Sequence, residues 1–392
     1  MNDHKISLGW CLFSILACSL YLIFYLDISN KNLLINAFKF LIFLVPLIVI
    51  SSKRKKPSKD ILHFSILYLI MSISYLVGLI LEGGIVSDIF FFNTILSIGF
   101  LYVGATQKMS IRDSMFLGLV IGLILGGIFD FFANIGNFTI WQEKSYVGGV
   151  GNPSSFGFLC NMAIAWLLFC DFPKQKINRF FNTFLIIILT TFSIMSFSMF
   201  AVVNLIIVFI AAIFFYPKAK VLKWTMFAAG FAFILVLTTD LSIDVVQSTL
   251  RFLSHKLMSF GNYLGMVDYA DTSASVSVRV GIHEQAAILF NSQWLSILLG
   301  HPEFISYHKN DSQVLTYALS FGIPLMLIFM AFNLRFLYMA FYLKNTHYIV
   351  VFSSFLMIFF SNRILDYFPI AIFYFILISA LNNEYRLKRF LR

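Results

Sequence analysis

The chain alternates between long apolar runs and short polar breaks, with one long polar interval past its middle. A helix needs about twenty apolar residues to cross the hydrocarbon core of a bilayer. Measured against that length, the sequence predicts twelve spans: 7–26, 33–52, 61–81, 89–106, 115–136, 156–172, 180–198, 199–217, 224–240, 314–334, 347–361 and 368–383. The pattern therefore predicts an all-α, multi-pass membrane protein whose residues 1–392 form a single integral membrane domain.

Two boundaries in this pattern stay open. The spans 180–198 and 199–217 share only a short joint, and the stretch 335–346 could extend the span before it.

The long polar interval is the loop 240–313. Its segments 245–258 and 277–299 carry apolar residues at helical spacing with charges between them, which predicts amphipathic helices lying on the membrane surface as a cap.

Composition excludes a soluble globular protein. The chain is 60% apolar and 12% charged, about half the charge that a soluble domain carries. Its cysteines all lie in apolar runs without metal-ligand spacing, so we interpret them as small hydrophobic residues. They are Cys11, Cys18, Cys160 and Cys170.

The net charge of +10 follows the alternation of the loops. On one side of the predicted membrane lie 20 of the 28 Lys and Arg: Lys5, Lys53, Arg54, Lys55, Lys56, Lys59, Lys108, Arg112, Lys174, Lys176, Arg179, Lys218, Lys220, Lys223, Arg335, Lys344, Arg386, Lys388, Arg389 and Arg392. Because cytoplasmic loops collect basic residues, both termini are predicted to be cytoplasmic and the long loop extracytoplasmic. Attraction to anionic lipid headgroups accounts for the remaining positive charge, so no nucleic-acid partner is predicted.

The loop 137–155 ends in three glycines before Asn152 and Pro153. Glycines permit tight turns and close approach of the backbone to a ligand, and Asn152 is a candidate substrate contact. Ser154 or Ser155 could cap the helix that follows, whose N-terminus attracts anions. The alternative is a plain loop that enters a helix.

The long loop carries the arginines that suit a phosphate group. A guanidinium stays charged and presents a planar fork to phosphate oxygens, and Arg279 and then Arg251 are the candidates for this role. For Arg251, His255 and Lys256, the alternative is a surface helix whose charges are only solvated.

The end of the long loop offers groups for proton transfer. A general base on a sugar hydroxyl would be Asp, Glu or His, and Asp311, His308 and Glu284 are the candidates. Lys309 and Asn310 are candidate substrate contacts beside them. The alternative for Asp311 or Ser312 is the N-cap of the next helix.

A few charges lie in or between the later spans. Asp130 and Lys39 fall within predicted spans, where charged residues usually line polar interiors. Arg363 and Asp366, in the last outer loop, could pair with each other or reach the site, where Arg363 would contact substrate. No nucleotide, zinc or nucleophile-elbow motif is present, so neither a metal nor another cofactor is predicted.

The order of these short motifs resembles the O-antigen ligase/polymerase family, and most closely its Wzy-type polysaccharide polymerases. The resemblance covers roughly 150–330. It rests on Gly151-Asn152-Pro153, on Arg279 ahead of an aromatic-containing helix and Gly300, on Asp311-Ser-Gln-Val-Leu315, and on Gly322-Ile323-Pro324.

Two departures favour the polymerase over the ligase. Ligases of the family typically place His-Asn-x-x-Leu ahead of the Gly-Ile helix, where this chain has Asp311. They also often begin a helix with Ser-Arg, where this chain has Ser198 and Met199.

The resemblance implies a metal-independent, GT-C-like glycosyltransferase of the bacterial cytoplasmic (inner) membrane. Its partners would be oligosaccharide donor and acceptor on undecaprenyl pyrophosphate, membrane lipids and, in some systems, a chain-length regulator. Arg279, with Arg251 second, would neutralise the leaving pyrophosphate, and Asp311 or His308 would act as the general base.

Two other functions remain open. The ligase would transfer a finished glycan to the lipid A core. A flippase for lipid-linked oligosaccharides also fits the length and the span count, although it needs charges along a central path and similar halves, which this sequence does not display.

Overall fold

The computed structural model describes residues 6–25, 30–52, 57–81, 90–106, 110–132, 146–171, 173, 177–196, 198–215, 258, 284, 288, 294–300 and 312–391. Within this part of the chain, every regular element is a helix. The α-helices are α1 Leu8–Ser19, α2 Lys31–Ser52, α3 Lys59–Leu81, α4 Phe90–Ser97, α5 Phe100–Thr106, α6 Ser110–Phe132, α7 Pro153–Phe169, α8 Arg179–Met195, α9 Met199–Phe215, α10 Trp294–Leu299, α11 Gln313–Phe321, α12 Ile323–Leu343, α13 Thr346–Phe359 and α14 Ile370–Phe390. Short 3₁₀ helices cover Leu20–Tyr25, Gly148–Val150 and Ile364–Asp366.

The helices have the length and surface of a membrane protein. Among the described residues, four stretches are long and apolar enough to cross a bilayer: Lys31–Val49, Lys59–Val77, Ile111–Phe132 and Ile323–Leu343. Shorter apolar helices accompany them. Large apolar side chains also face outward along α3, where Leu69 and Ile73 are exposed, which is costly in water and ordinary in lipid. The all-α prediction is confirmed, and the predicted span 224–240 lies outside the described residues.

The core is built around α14. Every residue from Ile370 to Ser379 is buried, so this helix has protein on all sides. Its Tyr374 ring meets Phe64, Phe355 and Phe359 edge to face, and its hydroxyl donates to Asn333 Oδ1 at 2.6 Å. The last predicted span is therefore the centre of the bundle.

The joint between α8 and α9 is a true break, so the two spans that the sequence left open there are separate helices. Both helices pack on α7, where Gly157 leaves room for them: a Cβ built there would lie 2.4 Å from Cβ of Ala201. Asn161 of α7 joins the two, because its amide donates to the Ala201 carbonyl at 2.7 Å and its oxygen accepts from Ser193 Oγ at 2.9 Å.

The predicted span 314–334 is wrong as a single helix. The chain ends α11 at Phe321, reverses at Gly322 with φ 85°, and begins α12 at Ile323. In a straight helix, Tyr317 and Phe329 would lie about 18 Å apart along the axis, yet their ring centroids are 5.0 Å apart. Helix α11 therefore folds back along α12, and the membrane-crossing helix extends to Leu343, into the stretch left open.

The predicted span 89–106 is also divided. Helices α4 and α5 meet at a turn over Ile98 and Gly99. Pro46 of α2 packs directly against this turn, since a Cβ on Gly99 would lie 2.8 Å from Cβ of Pro46. Hydropathy alone predicted a continuous helix here; the structure has a turn, against which α2 packs closely.

Hydrogen bonds and ion pairs sort the described loops into two ends. At one end, Ser7 donates its backbone N–H to Ser114 Oγ, and Arg112 contacts Glu384; we call this the Arg112 end. At the other end, Thr94 and Gln313 bond to the segment that contains Arg363; we call this the Arg363 end. These pairings join loops that the alternation of spans placed on the same side.

Gly322 provides a test of the reversal. An added Cβ would lie 2.1 Å from the Leu298 carbonyl oxygen, and the positive φ is strained for any other residue. We expect Gly322→Ala to destabilise the protein by about 2 kcal/mol or more, seen as a lower midpoint of thermal unfolding in detergent.

Gly9→Ala is the matched control, because nothing lies within 4 Å of the added methyl group. Its midpoint should stay level or rise, since alanine favours a helix more than glycine does. Equal midpoints for the two variants would contradict the tight reversal.

Candidate functional site

A buried ion pair organises the Arg363 end. Arg363 Nε donates to Asp366 Oδ2, and the two residues are 5% and 1% exposed. The Thr94 hydroxyl of α4 contacts Asp366 Oδ1 and the Leu365 carbonyl, the latter at 3.0 Å. Of the two alternatives for Arg363 and Asp366, mutual pairing is confirmed; a contact of Arg363 with substrate stays a prediction.

The start of α11 is fastened to the same segment. Gln313 Oε1 accepts from the Leu365 backbone N–H at 3.0 Å, and the Gln313 N–H donates to the Asn362 carbonyl at 3.3 Å. Ser312 Oγ donates to the Phe359 carbonyl at 3.3 Å. Nine residues separate Gln313 from Gly322, so this anchor lies about 14 Å along α11 from the reversal.

The N-cap of α11 is Ser312. Its side chain accepts from the Leu315 N–H at 3.2 Å, which satisfies one of the open donors of the first turn. This decides between the two capping candidates, because the position is filled without Asp311. The carboxyl group of Asp311 itself lies outside the described residues.

Helix α11 turns polar side chains into the protein. Gln313, Thr316 and Ser320 follow the i, i+3, i+7 spacing of one helix face, and all three are buried. The amide nitrogen of Gln313 and the hydroxyls of Thr316 and Ser320 have no hydrogen-bond partner among the described residues. Buried polar groups normally bond to protein or to water, so this face offers hydrogen-bonding capacity to a polar guest.

The loop 146–152, which we call the glycine loop, is held by Asp130. Its Oδ2 accepts the backbone N–H groups of Val147 and Gly148, both at 2.9 Å. Burial raises the pKa of the neighbouring Tyr146 phenol, and the negative charge of Asp130 raises it further. The intramembrane aspartate thus has a structural role, which its position near the end of a span did not reveal.

Asn152 caps α7. Its Oδ1 accepts from the Ser155 N–H at 3.0 Å, so the predicted caps Ser154 and Ser155 were wrong. Ser154 instead accepts from Ser198 Oγ at 3.1 Å. Gly151 before it has φ 80°, and a Cβ there would lie 2.7 Å from the Tyr21 ring, which explains the glycine. A substrate contact for the partly exposed Asn152 stays a prediction.

Lys39 lies between the glycine loop and the Arg363 pair. Its ammonium group is 5.1 Å from the centroid of the Tyr21 ring and 5.8 Å from that of Phe368. Tyr21 packs on Gly151, and Phe368 follows Asp366 by two residues. The structure thus brings together three segments that sequence analysis treated separately.

The remaining predicted site residues are placed as follows. Glu284 is helical and exposed, in keeping with the predicted surface helix 277–299. Outside the described residues lie Arg251, Arg279, His308, Lys309, Asn310 and Asp311, and the predictions for them stand as made.

A second polar cluster occupies the Arg112 end. Arg112 contacts Asp113 at 3.3 Å and Glu384 at 3.1 Å, and donates to Tyr348 Oη at 3.0 Å. Trp166 Nε1 donates to the Asp113 carboxylate at 3.0 Å. The sequence indicated only a basic loop residue at Arg112. In the structure its buried side chain joins α6, α13 and α14, and Asp113 adds α7 through Trp166.

The cysteines are buried and free within the described part of the chain, as predicted for small hydrophobic residues. Comparison of the whole chain with models of known protein families finds no match. Comparison with curated proteins finds none either.

Breaking the Arg363–Asp366 pair should destabilise the bundle. Removing one partner of a buried pair leaves an uncompensated charge, at a cost of about 3–5 kcal/mol. We therefore expect Arg363→Gln to lower the midpoint of thermal unfolding in detergent sharply.

The control is Arg335→Gln, which breaks the ion pair with Asp60 at the other end, where the arginine side chain is 54% exposed. An exposed pair contributes about 0–1 kcal/mol, so this midpoint should barely move. If the two variants unfold alike, the Arg363 pair does not organise its end of the bundle.

Proposed function

We propose that the protein is a polysaccharide polymerase of the bacterial cytoplasmic membrane. It transfers a growing glycan from undecaprenyl pyrophosphate to the non-reducing-end sugar of an incoming lipid-linked repeat. In this proposal the chain has twelve spans in a GT-C-like arrangement, both termini are cytoplasmic, and the Arg363 end faces outward.

One observation supports this proposal most: the reversal of the chain at Gly322. The segment 301–311 leaves Gly300, which lies against the reversal, and ends at Ser312, which is anchored deeper in the bundle. The candidate base Asp311 is bonded directly to that anchor. We propose that the carboxyl group of Asp311 accepts the proton of the sugar hydroxyl there.

The polar interior beside this point suits a carbohydrate. Sugar hydroxyls donate and accept hydrogen bonds, and Gln313, Thr316 and Ser320 present both kinds of partner. The apolar outer faces of the helices suit the polyprenyl chains. Both halves of a lipid-linked sugar thus have a matching surface.

The proposed reaction is a single displacement. A hydroxyl oxygen of the acceptor sugar attacks the anomeric carbon of the donor, and the bond from that carbon to the pyrophosphate oxygen breaks. Asp311 or His308 takes the hydroxyl proton. Arg279, with Arg251, neutralises the charge that develops on the leaving undecaprenyl pyrophosphate.

Deleting the gene separates the polymerase from its rivals. We expect the deletion strain to attach single repeats to the acceptor and to lose the ladder of longer chains on a glycan gel, and a plasmid copy to restore the ladder. Loss of all repeats from the acceptor would point instead to the ligase or to the flippase, and would overturn the proposal.

Asp311 is tested against its neighbour. We expect Asp311→Asn to lower polymerisation by on the order of 100-fold, because the amide cannot accept the proton, and Asp311→Glu to retain more activity. Thermal stability should stay near wild type for both, since Ser312 fills the cap.

Ser312→Ala shows how far the loss of stability and of the anchor lowers polymerisation when the carboxyl group is kept. It removes the cap of α11 at a cost of about 1 kcal/mol in stability, and it leaves the carboxyl group at 311 in place. If Asp311→Asn polymerises as well as wild type, Asp311 is not the base.

A further inference from the structure

The outer part of α2 contains a cation on its buried face. Ile35, Lys39, Ile42 and Phe43 share the helical spacing of one face, and the three apolar members are 3%, 2% and 6% exposed. The Phe43 ring, one turn from Lys39, packs edge to face on Phe368 at 5.8 Å. Lys39 therefore points toward the protein and not toward lipid.

The side chain reaches toward the Arg363 end. Lys39 lies eight residues into α2, about 12 Å along the axis from Lys31, and Cα–Cβ bonds in a helix tilt toward its N-terminus. The ammonium group is accordingly found beside Tyr21, at the end of the preceding helix, and Phe368. The two rings belong to segments that are distant in sequence.

No carboxylate forms an ion pair with Lys39 among the described residues. The nearest acidic group along the chain from Phe368 is Asp366, whose two carboxylate oxygens bond to Arg363 and Thr94. A charged side chain within a membrane helix is costly unless it is paired or solvated. Faces of aromatic rings attract a cation but supply no negative charge.

We propose that Lys39 binds a phosphate group of a lipid-anchored substrate, with Tyr21 and Phe368 holding its ammonium group in place. The inference rests on the proposed function, from which the ligand is taken to be the diphosphate of a polyprenyl-linked glycan. Lys39 would hold the phosphate beside Tyr21, which packs on Gly151, and Phe368, which follows the Arg363 pair. It would bind substrate in addition to the arginines of the long loop.

The experiment measures binding to the purified full-length protein in nanodiscs of phosphatidylcholine. The probe is undecaprenyl pyrophosphate, and a parallel arm titrates phosphatidylglycerol, which carries a phosphate without the diphosphate or the polyprenyl chain. The variants are Lys39→Met, which keeps the length of the side chain and removes its charge, and Lys39→Arg, which keeps the charge. Lys31→Met, on the same helix, is the matched control.

We expect Lys39→Met to raise the Kd for undecaprenyl pyrophosphate by about tenfold or more, the usual effect of losing a hydrogen bond to a charged group. Lys39→Arg should bind within a few-fold of wild type, and Lys31→Met should bind like wild type. Thermal unfolding identifies any variant that fails to fold. If Lys39→Met does not fold, the binding measured for Lys39→Arg decides the test.

An unchanged Kd for both probes in Lys39→Met would overturn the inference, because a lysine that is merely solvated does not affect the ligand. A loss confined to phosphatidylglycerol would support the phosphate site and assign it to membrane lipid. The outcomes also separate the two proposals. If the protein makes long glycan chains but Lys39→Met binds both probes with an unchanged Kd, the Lys39 site is rejected and the polymerase proposal stands. If the wild-type protein binds no undecaprenyl pyrophosphate but binds phosphatidylglycerol through Lys39, the proposed substrate is rejected and the phosphate site stands.

Discussion

Polar groups that this chain brings between its helices depend on partners inside the protein, because lipid offers neither donors nor acceptors. Asp366 shows how strongly this requirement shapes the Arg363 end. Its carboxylate receives a guanidinium from its own loop and a hydroxyl from α4, while Gln313 fixes the adjoining backbone. Three segments distant in sequence are thereby held at one depth, and an irregular loop is kept within an apolar bundle.

The same requirement is met differently at the Arg112 end. There one arginine serves two carboxylates and a phenol, and Lys388 donates to the last carbonyls of α12. These contacts close the bundle, with side chains in mutual contact. Buried groups without partners among the described residues occur at both ends: the ring nitrogens of His347 at the Arg112 end, and the polar face of α11 at the Arg363 end. The candidate site is placed at the Arg363 end because the motifs of the sequence lead into α11.

Hydropathy predicted the helices well because span length depends on a single physical quantity, the thickness of the hydrocarbon core. It failed at Gly322 and at Gly99 for a shared reason. Apolar composition does not distinguish a straight helix from an interrupted one, and the reversal at Gly322 depends on a backbone angle that only glycine adopts easily.

The site was predictable only in part. Pairing of Arg363 with Asp366 could be read from their i, i+3 spacing in one loop, and the cap at Ser312 from its position before a helix. The anchoring of Gln313 to Leu365 and of Asp130 to the glycine loop could not, because each joins a side chain to a backbone group whose position is fixed by the tertiary structure. Lys39 gave a signal as a charge within a span, although its aromatic neighbours are distant in sequence.

Asn161 has a consequence for how the chain is made. Its amide lies in the middle of α7, and both of its polar atoms are satisfied only by residues that are synthesised later, in α8 and α9. A lone α7 released into the bilayer would expose that amide to hydrocarbon. The three helices should therefore leave the insertion machinery as one group, with α7 retained at the lateral gate until its successors emerge from the ribosome.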